Sequence, residues 1–110
     1  MSNQPTKKVK VEHCRSLLRT QKRYLSIAVS CLQDKLSEET LDREVVHCLC
    51  HYVSSINKII DLFEGLIKNE EGETVTVSYA QAIVAKTYMK SFKYYKKLLM
   101  YQHHTSVEMH

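Results

Sequence analysis

Glycine and proline are scarce in this chain, at two and one among 110 residues. Sandwiches and barrels of short strands turn back roughly every 8–12 residues and depend on those residue types to do so. Their scarcity argues against such folds and for a few long elements. An apolar run of about 18 residues is missing as well, so the sequence offers no segment to span a bilayer. The N-terminal stretch MSNQPTKKVKVEHCR carries basic residues with no apolar block behind them, and does not read as a secretory signal. Also missing are a Gly-rich phosphate loop, helix-turn-helix spacing, a zinc-finger pattern and a Gly-Phe ribonucleoprotein motif. No catalytic or cofactor motif stands out, and the chain is expected to be neither an enzyme nor the holder of a cofactor.

What is present describes an ordinary globular domain, 44% hydrophobic and 25% charged. That is too apolar for a disordered chain, and 110 residues leave room for one domain. The expected organisation is a flexible, polar N-terminal segment 1–8, one helical-bundle domain over 9–104 and a flexible tail 105–110.

Three amphipathic segments fill the domain. In the first, roughly 9–36, Val11, Leu18, Leu25 and Leu32 recur every seventh residue, with Cys14 and Ala28 in the complementary position. Gln21 and Lys35 interrupt that stripe. The second is expected to start at Ser37 as N-cap, with Glu38, Glu39 and Asp42 placed where negative charge suits a helix start. Its stripe reads Val45, Leu49, Tyr52, Ile56, Ile59, Phe63 and Leu66. A second row, Val46, Val53, Ile60 and Ile67, lies beside it. This is the widest apolar face in the chain, so the second helix is expected to be central. Its excess width makes Val46, Val53, Ile60 and Ile67 candidates for an interface with a second copy. A linker follows over 69–77, whose TVTV is β-favouring but has no evident strand to pair with. The third segment opens with Ser78 and Gln81, spaced as a capping box, and its stripe runs Ala85, Tyr88, Phe92, Tyr95, Leu99 before fading near Gln102. The expected fold is all-α: three long helices in an antiparallel bundle with coiled-coil-like packing, forming an oligomer.

Charge is segregated along the chain. Residues 1–36 hold eight Lys/Arg against two acids, residues 37–77 three against nine, and residues 78–110 five against one. Opposite signs on neighbouring helices help select helix partners. Part of the basic charge faces elsewhere. Lys86, Lys90, Lys93 and Lys97 are spaced four, three and four apart, opposite the third stripe, with Tyr94 and Tyr101 on the same row. Cations with an interleaved aromatic suit a phosphate backbone and stacked bases. Arg15, Arg19, Lys22 and Arg23 form a similar patch on the first helix. Such rows also serve simply as solvated helix faces.

Four cysteines, Cys14, Cys31, Cys48 and Cys50, all fall inside helical patterns. Cys48 and Cys50, two apart on a helix, diverge and cannot pair with each other. Reduced thiols in a cytoplasmic setting, or a nuclear one in a eukaryote, are expected. His47 and His51 are four apart, a chelating spacing, and the bundle brings His103 and His104 to the same end as further candidate ligands. Surface histidines are the simpler reading of that group. Val9-Lys10-Val11-Glu12 fits the four-letter acceptor pattern for a small ubiquitin-like modifier, a match that chance often supplies. The function expected from these features is regulatory binding of a larger protein partner by a helical, self-associating protein. The alternative is a small nucleic-acid-binding protein using the Lys/Tyr row.

Overall fold

The structure, a computed structural model, describes the backbone of residues 6–68 and 72–108, and side chains among them as far as Met100. Five elements follow one another: β1 (Lys7–Lys10), α1 (Val11–Leu36), α2 (Arg43–Ile67), β2 (Thr74–Val77) and α3 (Tyr79–Glu108). The chain is mostly helical and elongated, with extents of 57 × 27 × 21 Å. None of the described helices is long and apolar enough to cross a membrane.

The helices end where local chemistry stops them, not always where the pattern suggested. Ser37 is not the N-cap of α2. Its N–H donates to the carbonyls of Gln33 and Asp34, and its hydroxyl donates to Asp34 O at 2.9 Å, so it closes α1. Asp42 caps α2 instead, its carboxylate accepting from Val45 N at 3.2 Å. A short side-chain oxygen serves either helix end, and the sequence offered two of them five residues apart. At α3 the reciprocal box forms as spaced: Gln81 N donates to Ser78 Oγ at 3.1 Å, and Ser78 N donates to Gln81 Oε1 at 2.9 Å. No Gly or Pro follows Gly72, and α3 continues past Gln102 to Glu108.

α2 packs against both other helices. Its stripe supplies Ile56 and Ile59, both fully buried, with Leu49 and Tyr52 nearly so, and Ile60 of the second row is buried beside them. Leu18 and Ala28 of α1 and Phe92 of α3 complete this core. The Tyr52 ring stacks on Phe92 at 5.3 Å between centroids, and Tyr24 meets Phe92 from the third side at 5.5 Å. Contacts between α2 and α3 form a ladder: Lys58 over Tyr88, Ser55 beside Ser91, Tyr52 on Phe92, His51 on Tyr95. The Ser55 hydroxyl donates to His51 O at 3.0 Å and accepts from Ser91 at 2.8 Å, so a buried polar group is satisfied on both sides. Gln21 is also buried, and its Oε1 has no partner.

A second, smaller core closes one end. β1 and β2 pair antiparallel, with Lys7 opposite Val77 and Val9 opposite Val75. Period-two alternation turns Val75 and Val77 inward and Thr74 and Thr76 outward. The inward pair packs with Val11 and Cys14 of α1 and against Phe63, Leu66 and Ala82. The 74–77 piece therefore has the partner that the sequence did not reveal, contributed by Lys7–Lys10 from the far end of the chain. Val11 N donates to Glu73 O at 2.8 Å and extends the ladder into the first turn of α1. The polar segment expected over 1–8 is thus ordered into a strand from Lys7 onward.

Candidate functional site

Two surfaces collect the residues that the sequence singled out. The first is the outer face of α3. At about 100° per residue, Tyr79, Ile83, Lys86, Lys90, Lys93, Tyr94 and Lys97 project to one side, away from the Tyr88–Phe92–Tyr95 core face. All seven are exposed, Tyr94 at 59%. The ion pairs among the described residues are Arg19–Glu12, Lys22–Glu64 and Lys35–Glu38, and no lysine of α3 joins them. No acid occurs in α3 before Glu108. Like charges at helical spacing repel by roughly 0.2–0.5 kcal/mol per pair when exposed, so the row slightly destabilises the isolated helix. The face is not uniformly basic: its first two turns present Tyr79 and Ile83.

The fifth lysine of α3 behaves differently. Lys96 turns inward, donates to Tyr24 Oη at 3.0 Å, and holds its ammonium 4.4 Å from the Tyr24 ring centroid. Its position, three after Lys93 but one before Lys97, already places it off the row. It ties α3 to α1 and contributes nothing to the outer face.

The second surface is a groove between α1 and α2 of about 600 Å³. Its rim carries Arg15, Arg19, Lys22 and Lys68, and Leu18 and Ile67 line it beneath. Three of the four cations expected to form a patch on α1 thus meet at this groove. Arg23 is exposed but does not line it. Two of the cations are partly compensated, Arg19 by Glu12 at 3.1 Å and Lys22 by Glu64 at 3.7 Å. Both pairs are exposed and contribute little to stability. Lys22–Glu64 is the single ion pair between two helices among the described residues, so charge segregation is expressed mainly as separate surfaces. Lys68 was missed in the sequence because it belongs to a different helix from the patch it joins.

The row expected to meet a second copy is largely covered within the chain. Ile60 is only 6% exposed and sits in the main core, while Val53 and Ile67 are half-buried and pack against it. Val46 is half-buried. Side chains of both flanking helices, Tyr24 and Leu25 of α1 and Tyr88 and Tyr95 of α3, pack against the same cluster, a wider cover than a two-neighbour heptad seam requires. Large apolar side chains are exposed elsewhere, at Ile27, Leu36, Leu41 and Met100 among others.

His47 and His51 are exposed, their rings edge-to-face at 4.4 Å, and His51 stacks on Tyr95 at 5.1 Å, which in turn meets Tyr94 edge-on. The side chains of Tyr101, His103 and His104 lie outside the described residues. Among the described residues, no group of three or more His, Cys, Asp or Glu is placed to hold a metal ion. The four thiols are unpaired: Cys14 and Cys48 are buried, Cys31 and Cys50 exposed. Burial raises the Cys14 pKa and so disfavours its thiolate. The modifier-acceptor match straddles the end of β1 and the start of α1, with Lys10 exposed and Val11 buried and hydrogen-bonded to Glu73. No family model, no curated protein and no solved structure matches this chain.

Proposed function

We propose that this protein is a helical, non-enzymatic regulator that binds an acidic surface of a larger protein through the outer face of α3. The observation that carries the reading is the composition of that face, an exposed strip that begins apolar at Tyr79 and Ile83 and ends basic at Lys86–Lys97. An acidic protein surface with an apolar margin buries the first half and neutralises the second. In the same reading the three helices form an antiparallel bundle with coiled-coil-like packing. The α2–α3 ladder, descending one helix as it climbs the other, supports this. Self-association and a reducing, cytoplasmic or nuclear, setting belong to it as well. The unpaired thiols are in line with the latter.

A second reading, nucleic-acid binding on the same face, is favoured by Tyr94, which stands exposed among Lys90, Lys93 and Lys97, an aromatic ring among cations of the kind that stacks bases. One titration separates the two. Fluorescently labelled ligands are compared by anisotropy at low and moderate salt: a glutamate-rich peptide containing leucines, duplex DNA and single-stranded RNA. The leading reading predicts that the peptide binds, that Ile83→Ser weakens it, and that nucleic acids of equal charge bind no more tightly. Nucleic acid binding at least tenfold more tightly, with single-stranded affinity lost on Tyr94→Ala, overturns it in favour of the second.

A further inference from the structure

The link between α1 and α2 is the chemical opposite of the α1–α2 groove. Its residues 37–42 are all exposed; Glu38 and Glu39 lie between Leu36 and Leu41, which are 56% and 45% exposed, and Asp42 follows directly. Glu44 adds a fourth acid in the first turn of α2. The groove offers the matching features: cations on the rim, Leu18 and Ile67 beneath, and open space above Gly65, where an added Cβ meets nothing within 4 Å. The link cannot reach the groove of its own chain, because α1 climbs roughly 22 Å between Lys22 and Ser37.

We propose that the groove receives the Leu36–Glu44 link of a second copy, so that chains associate head to tail. Leu41 enters above Leu18 and Ile67, and Glu38 and Glu39 face Arg15, Arg19 and Lys68. The contact is heterologous, with the donor surface of each copy remote from its acceptor surface. A single such contact leaves a free groove on one copy and a free link on the other, so it supports open chains or closure into rings, a reciprocal pair being the smallest. The charged contribution makes assembly salt-sensitive, and the small apolar area keeps it weak and concentration-dependent. This rests on the self-association in the proposed function and is independent of what α3 binds.

The test is solution mass by light scattering and sedimentation, up to about 1 mM protein at about 50 mM salt. Two variants each remove one half of the contact. Gly65→Trp fills the groove without altering a charge, and Leu41→Ser with Glu38→Gln and Glu39→Gln blunts the link. The wild type is expected to grow with concentration beyond a single 12.9 kDa chain, and to revert to it in high salt. Each variant alone is expected to stay monomeric. Mixed in equal amounts they are expected to form a dimer and stop there, since one contributes an intact link and the other an intact groove. Growth of either variant alone to the wild-type mass overturns the head-to-tail mode and leaves self-association standing. Variants that are monomeric alone and remain so when mixed overturn it too. A wild type that remains monomeric at the highest concentration removes both self-association and this mode, without touching partner binding by α3.

Discussion

One of the contacts that tie α1 to α3 rests on a single lysine, and its strength can be isolated. Lys96 reaches Tyr24 with its ammonium both against the ring, 4.4 Å from the centroid, and donating to the phenol oxygen at 3.0 Å. Both groups are half-buried. Charge-assisted hydrogen bonds contribute about 1.5–3 kcal/mol when buried, and cation–π contacts about 0.5–1 kcal/mol at exposed sites. At half burial the combined coupling should come to about 1–1.5 kcal/mol. Two double-mutant cycles apportion it. Lys96→Met keeps most of the stem. Paired with Tyr24→Phe it reports the hydrogen bond alone, expected at about 0.5–1 kcal/mol, and paired with Tyr24→Leu it reports bond and ring together. The assay is urea unfolding followed by helical circular dichroism, with m-values held constant across each cycle. A coupling below about 0.3 kcal/mol in the Tyr24→Leu cycle, which is within additivity error, would refute the reasoning. It would mean that the Lys96–Tyr24 contact contributes little to holding α3 against α1.

Three further outcomes follow from the packing. Ile56→Ala opens a cavity at a fully buried position between the helices and should cost about 3–4 kcal/mol in the same unfolding assay. Gly65→Ala, in a helix with open space around the new methyl, should stabilise by about 0.5–1 kcal/mol and raise Tm by a few degrees. Burial, with the neighbouring Tyr24 adding to it, pushes the Tyr52 hydroxyl from 10.0 up to about 12. Between those values the unfolded chain gives up this proton and the folded chain keeps it. Stability is therefore intact below pH 10 and falls as pH rises toward 12, by at most about 2–3 kcal/mol from this group. Tyr52→Phe should flatten that part of the pH–stability curve.

Much of this architecture is legible in local pattern. The seven-residue recurrence from Val11 to Leu32 and the double row on α2 place two helices. The Ser78–Gln81 box marks the start of the third to the residue. Cys48 faces inward and Cys50 outward, as helical geometry requires. The features that escaped are those decided by tertiary structure. Ser37 and Asp42 are both competent caps, and only packing chooses between them. Thr74–Val77 looks unpaired because its partner, Lys7–Lys10, is separated by the whole of α1 and α2 and reads as a polar tail. The burial of Ile60 depends on how far the side chains of α1 and α3 reach round α2, which periodicity does not encode. The groove escaped for the same reason: Arg15, Arg19 and Lys22 are visible as a patch on α1, but Lys68 joins them only once α1 and α2 are packed. Lys96 shows the limit from the other side, since its spacing sets it off the lysine row but does not reveal that Tyr24 receives it.

The central claim, that the outer face of α3 is the working surface, is tested most directly by one comparison of affinities. The glutamate-rich, leucine-containing peptide is titrated against the wild type and against Lys90→Glu with Lys93→Glu, a pair of exposed positions whose reversal should leave the helical signal unchanged. The account predicts at least a tenfold loss of affinity in the variant, and wild-type binding that weakens as salt is raised. Equal affinity of the two proteins, with the fold intact, would contradict it and move the working surface away from α3.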